Sequence, residues 1–154
     1  MAHFEYSSVI PTAKNSVFEF ICNIKNLPLI MPPDYKIELT SPPSSLKKGE
    51  EYEIKVSRFG ISVVMNMTLE EAAENEMIRE RQSQGPFSQW IHTHKVDDHG
   101  EGTLMTDIID FDVSFGILGK LAQDLFINRD LERIFRFRHE KTITLLNKEK
   151  KLEA

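Results

Sequence analysis

Residues 88–113 read Ser-Gln-Trp-Ile-His-Thr-His-Lys-Val-Asp-Asp-His-Gly-Glu-Gly-Thr-Leu-Met-Thr-Asp-Ile-Ile-Asp-Phe-Asp-Val. Two alternating runs flank a turn signal at Asp98-His99-Gly100, the pattern of an antiparallel hairpin. Taking His99-Gly100 as the central pair, with Gly100 supplying a positive φ, sets the register. Val96 then faces Thr103, His94 faces Met105, His92 faces Asp107, Trp90 faces Ile109 and Ser88 faces Phe111. Opposed side chains share a face, so Trp90, His92, His94, Met105, Asp107, Ile109, Phe111 and Val113 point one way. Most of these are large and apolar, which makes this the buried face and brings two imidazoles and a carboxylate inside it.

Working outward, the same punctuation runs from Tyr35 to Asp112. Strand-length segments are separated by Ser41-Pro42-Pro43-Ser44-Ser45, Gly60, Ala73-Glu74-Asn75 and Gly85-Pro86, the signature of a meandering antiparallel sheet. One segment alternates cleanly, with Ile61, Val63, Met65, Met67 and Leu69 forming its apolar face. Residues 3–10 give another strand, with Phe4, Tyr6 and Ser8 on one face, ending at Pro11. Val17, Phe20, Ile21 and Ile24 then recur at helical spacing, and Leu27–Met31 adds a second short segment stopped by Pro32-Pro33. After Gly116 and Gly119 the helical period returns. Leu131, Ile134, Phe135, Thr142, Leu145 and Leu146 fall on one stripe, while Leu118, Leu121 and Leu125 lie on a rotated one, so a bend or break is expected near Asn128. A long helix must bury its stripe, and a curved sheet is the large apolar surface on offer.

The bulk properties agree with one domain. The 154 residues are 40% hydrophobic and 28% charged, with a net charge of −5. That charge argues against a nucleic-acid partner or an anionic membrane surface. Cys22 is the sole cysteine, which excludes an internal disulfide and cysteine-based zinc sites; it reads as a small buried hydrophobe. No segment approaches the roughly 18 apolar residues of a membrane span, and the start lacks a basic region followed by an apolar run, so a cytoplasmic protein is expected. Glycine-rich phosphate loops, G-x-S-x-G elbows and H-E-x-x-H pairs are missing, which leaves nucleotide hydrolysis and serine-hydrolase chemistry without support.

Burying His92, His94 and Asp107 without partners would cost several kcal/mol each on the order-of-magnitude transfer scale. Three readings answer that cost. Asp107 and His92 form a satisfied structural pair. Alternatively, sheet and helix do not fully close, and the polar groups anchor a mostly apolar ligand in a cavity, with Met65 and Met67 as adaptable walls. In a catalytic version of that cavity Asp107 fixes the tautomer of His92, which moves protons as general acid or base. Third, His92, His94 and Asp107 bind a metal, although His-x-His on a strand is a weak signal. Neither a metal nor any other cofactor is assigned. Arg138 falls at i+7 from Leu131, so its stem packs while its head either snorkels or meets a ligand anion.

The chain resembles the SRPBCC superfamily, the START-type helix-grip proteins related to plant pollen allergens and aromatic polyketide cyclases. It is most similar to a bacterial branch sharing a Gly-Pro-Phe-x-x-Trp-x-His-x-His strand, here Gly85-Pro86-Phe87-Ser88-Gln89-Trp90-Ile91-His92-Thr93-His94. The likeness continues through Gly102–Asp107, Phe115-Gly116-Ile117-Leu118-Gly119, and Asp130–Phe135 followed by Arg138. Upstream, Pro11, Val17-Phe18, Asn26-Leu27 and Pro32-Pro33 also fit. At Val64-Met65-Asn66 the chain departs from a tryptophan associated with the family. The resemblance implies an α+β fold: a seven-stranded curved antiparallel sheet around a long C-terminal helix, two short helices after the first strand, and one ligand-binding domain spanning 1–154. It implies a cavity but no agreed reaction. The expected function is binding of a small hydrophobic or aromatic molecule by a monomer or homodimer. Trp90, His94, Met65, Met67, Met105, Ile109, Phe111 and Arg138 are the candidate contacts. The alternative is a cyclase- or dehydratase-like enzyme using His92 and Asp107.

Overall fold

The computed structural model describes residues 1–113 and 127–153. The elements are β1 (Ala2–Ile10), α1 (Lys14–Cys22), a 3-10 helix (Ile24–Leu29), β2 (Lys36–Thr40), β3 (Glu51–Arg58), β4 (Ile61–Ala73), β5 (Met77–Gln84), β6 (Gln89–His99), β7 (Gly102–Asp112) and α2 (Asn128–Glu153). All seven strands form one antiparallel sheet in the order β1-β7-β6-β5-β4-β3-β2. This is the expected α+β helix-grip architecture, with the second short helix tightened to 3-10 geometry around Pro28. The expected stripe of Leu118, Leu121 and Leu125 and the motif Phe115–Gly119 lie outside the described residues.

Curvature has a local cause. The β4–β5 pairing slips between Asn66 and Met67 and again between Leu69 and Glu71, and such bulges bend a strand and increase its twist. The sheet wraps α2, whose buried stripe is Leu131, Phe135, His139, Thr142 and Leu146. β1 meets that stripe at a matching pitch. Phe4 packs at a tilt against Phe135 with ring centroids 5.6 Å apart, Tyr6 stands edge-on to His139 at 4.8 Å, and the Ser8 hydroxyl lies 2.6 Å from His139 Nδ1. Residues two apart on the strand thus meet residues one turn apart on the helix. α1 buries Val17, Phe20 and Cys22. The first two pack with Ile10, Val96, Met105 and Leu146, while Cys22 joins Tyr52, Ile54, Met65, Met67 and Leu69.

Three sequence expectations are corrected here. The β6–β7 turn is centred on Gly100-Glu101, with His99 paired to Gly102. Gly100 takes φ +59° as the first central residue, the position that a type II′ hairpin gives to glycine. Gly102 is held in the strand because a Cβ there would lie 2.5 Å from the Ile10 carbonyl oxygen, so β1 can approach only over a glycine. The register moves by two: Trp90 faces Phe111, His92 faces Ile109 and His94 faces Asp107. An even shift leaves every side chain on its expected face. Val113, placed on that face from sequence, lies beyond the end of β7. On β4 only Met65, Met67 and Leu69 are buried; Ile61 is 71% exposed, since the β3–β4 hairpin end is not covered.

Candidate functional site

Inward positions of three adjacent strands converge. Strand pairing sets Glu80 opposite His92 and His94 opposite Asp107, so one carboxylate flanks the two imidazoles on each side. Nε2 of His92 and Nδ1 of His94 both lie 2.7 Å from Asp107 Oδ1. Nε2 of His139, arriving from α2, lies 2.6 Å from Oδ2. Across the cluster, the Tyr52 hydroxyl donates to Glu80 Oε1 at 2.7 Å, and Glu80 Oε2 is 3.5 Å from His94 Nε2. The two rings on β6 lie against each other at a tilt of 40° with centroids 3.7 Å apart. All of these side chains are buried.

Electrostatics sort the cluster into charged and neutral members. Burial opposes ionisation of Asp107, but His94, His139 and His92 outweigh it and hold the carboxyl well below the usual range. Glu80 is likewise lowered against its burial, chiefly by His94. Burial drives His94 down, and Asp107 and Glu80 overcome that to raise it to about 9. His92 lacks such a surplus: burial and the neighbouring His94 bring it to about 4. At neutral pH the cluster therefore contains two carboxylates, an imidazolium at His94 and a neutral imidazole at His92. Burial also pushes the Tyr52 phenol well above its ordinary value, so it stays a donor.

These groups line a space of about 420 Å³ between the sheet and α2. Its walls include Leu27, Ile30, Ile54, Met65, Met67 and Trp90. Of the sequence candidates, Met65, Met67, Trp90, His92, His94, Met105, Asp107 and Arg138 line it. Ile109 and Phe111 sit behind, fully buried in a cluster with Leu131 and Phe135. The Arg138 guanidinium rests 4.7 Å over the Phe135 ring and forms no ion pair among the described residues. At another point of the rim, Arg58 Nη1 binds Asp130 at 2.8 Å and the Tyr35 hydroxyl at 2.9 Å, and that hydroxyl donates to Asp130.

Sequence reading missed Glu80, Tyr52 and His139. Glu80 was reachable, because it alternates with the apolar Ile78 on β5 and so shares its inward face. His139 was reachable too, lying four residues after Phe135 on the helix stripe. Tyr52 gave no signal beyond alternation with Ile54.

No family model matches the chain, and no curated protein matches its sequence. Solved structures do match. Protein TTHA0849 from Thermus thermophilus superposes with a TM-score of 0.72 at 17% identity, covering 94% of this chain and 99% of that one. Ara h 8.0201 gives 0.65 at 14% identity, over 93% and 98%. The ginseng major latex-like protein 151 from Panax ginseng gives 0.59 at 18%, over 86% and 95%. At these identities the likeness establishes the helix-grip fold. No helix among the described residues is long and apolar enough to cross a membrane.

Proposed function

We propose that residues 1–154 form one binding domain that takes a small, mostly apolar or aromatic molecule into the space between sheet and α2. The supporting observation is the contrast within that space. Apolar walls meet a buried polar cluster that includes Glu80, His92, His94 and Asp107, with Arg138 also on the lining. Its volume lies within the roughly 300–1,000 Å³ of typical ligand pockets. Apolar walls supply affinity through desolvation, and the polar cluster fixes orientation. Binding rather than proton transfer is the reading favoured by His92, since an imidazole held near pH 4 is a feeble base under neutral conditions. Asp107 is also shared by three rings rather than reserved for one.

Trp90 is the only tryptophan and lines the space, so its fluorescence reports occupancy. Titration with anilinonaphthalene sulfonate, an aromatic acid, should quench Trp90 saturably at one equivalent. Met105→Trp, which fills the space, should abolish dye binding, read by dye emission, while the circular dichroism of the fold persists. Absence of saturable binding, or full binding by a folded Met105→Trp variant, contradicts the proposal.

A further inference from the structure

One oxygen of Glu80 and one nitrogen of each of His92 and His94 lie within 4.8 Å of one another. The hydrogen bonds decide which atoms are left for a further partner. His92 donates Nε2–H to Asp107, so its Nδ1 carries a lone pair, and that atom has no partner among the described residues. The Nδ1 position of His94 is committed to the same carboxylate. Its Nε2 therefore faces Glu80 Oε2 at 3.5 Å across the proton of the imidazolium, and once that proton leaves the two are facing acceptors. Facing acceptors need positive charge between them, and either a proton or a metal ion can supply it. Asp107 itself has both oxygens engaged by rings, which removes it from the ligand set and leaves Glu80 in its place.

We propose that Glu80, His92 and His94 bind one divalent first-row transition-metal ion of the zinc class, leaving a coordination position open toward the cavity. Two imidazoles and a carboxylate plus an open site is a donor set that zinc uses. At bond lengths of about 2.0–2.1 Å, tetrahedral ligands sit about 3.4 Å apart; the His94–Glu80 edge already has 3.5 Å. The surroundings are those of a metal site. Both ligand imidazoles set their other nitrogen 2.7 Å from an Asp107 oxygen, and the Tyr52 hydroxyl orients Glu80, an arrangement of the kind that fixes tautomers and raises ligand basicity. Ser8 holds His139, and His139 holds Asp107, so the supporting carboxylate is itself fixed. This inference stands independently of what fills the apolar part of the space.

The test is cobalt(II) titration of the full chain after chelator dialysis. Binding should saturate at one equivalent with the intense visible bands of four-coordinate cobalt, and zinc should displace it. Glu80→Gln should lose those bands, and Asp107→Asn should weaken binding by roughly 10–100-fold. Should these variants unfold, X-ray absorption of the zinc-loaded wild type decides, because two imidazoles must appear in its outer-shell scattering. Weak six-coordinate cobalt binding, no stoichiometric uptake, or fewer than two imidazoles on zinc overturns the assignment and leaves the gap between His94 and Glu80 to a proton.

Discussion

Oδ2 of Asp107 on β7 lies 2.6 Å from Nε2 of His139 on α2. A carboxylate buried in the sheet thereby grips the central turn of the long helix, while its other oxygen serves the two imidazoles of β6. Both residues are almost fully buried, so this link is made in low dielectric, where a polar group that loses its partner is expensive.

Removing the carboxylate should consequently be graded by what it leaves unpaired. Asp107→Leu strands three imidazoles and is expected to cost about 3–5 kcal/mol in urea unfolding. Asp107→Asn retains shape and some hydrogen bonding and should cost about 1–3 kcal/mol. Equal losses in the two variants would show that the network is not what the side chain supports.

Phe135 anchors the helix in the apolar layer, touching Phe4, His92 and Arg138. Its truncation to alanine should cost about 3–5 kcal/mol, whereas Leu152→Ala near the exposed helix end should stay within about 0.5 kcal/mol. Thermal unfolding gives the comparison directly, at about 2–4 °C per kcal/mol for a chain of this size.

At the cavity rim, Arg58 joins Asp130, Tyr35 and, through Nε at 3.0 Å, Asp34. Arg58→Ala should lower stability by about 1–2 kcal/mol after allowance for partial solvent screening. Lys36→Ala, which removes an exposed pair with Glu38, should be near neutral. Added salt should narrow the gap between the two variants.

Burial raises the Cys22 thiol to about 11 from an ordinary value of 9.0. The folded chain therefore holds this proton more tightly than the unfolded chain does. Its stabilising effect is complete below pH 9.0 and is lost as pH climbs through about 11. Iodoacetamide should modify Cys22 slowly at pH 8 in the native protein and rapidly in urea; equal rates would contradict the burial.

Period and punctuation made the fold legible. Alternation in residues 3–10 put Phe4, Tyr6 and Ser8 on one face, which the structure sets against the helix, and the turn residues marked the strand breaks. Turn chemistry alone could not choose between Gly100 as first or second central residue, because the deciding contact is the approach of Ile10 to Gly102, which is distant in sequence. The inward set survived because a shift of two preserves faces. The site was half legible: His92, His94 and Asp107 stand out as polar groups on an apolar face. Glu80 hid in a charged strand, Met77-Ile78-Arg79-Glu80-Arg81, where its neighbours are arginines on the opposite face. His139 hid because the buried stripe of the helix is marked by its apolar residues, and an imidazole among them carries no apolar signal.

Native mass spectrometry of the gently purified full chain, beside its denatured mass, tests the central claim of a ligand-binding cavity most directly. A bound organic mass that vanishes on denaturation, and is absent from folded Met105→Trp, is the predicted result. A bare protein mass that stays bare when the chain is incubated with small aromatic acids and phenols would contradict the account.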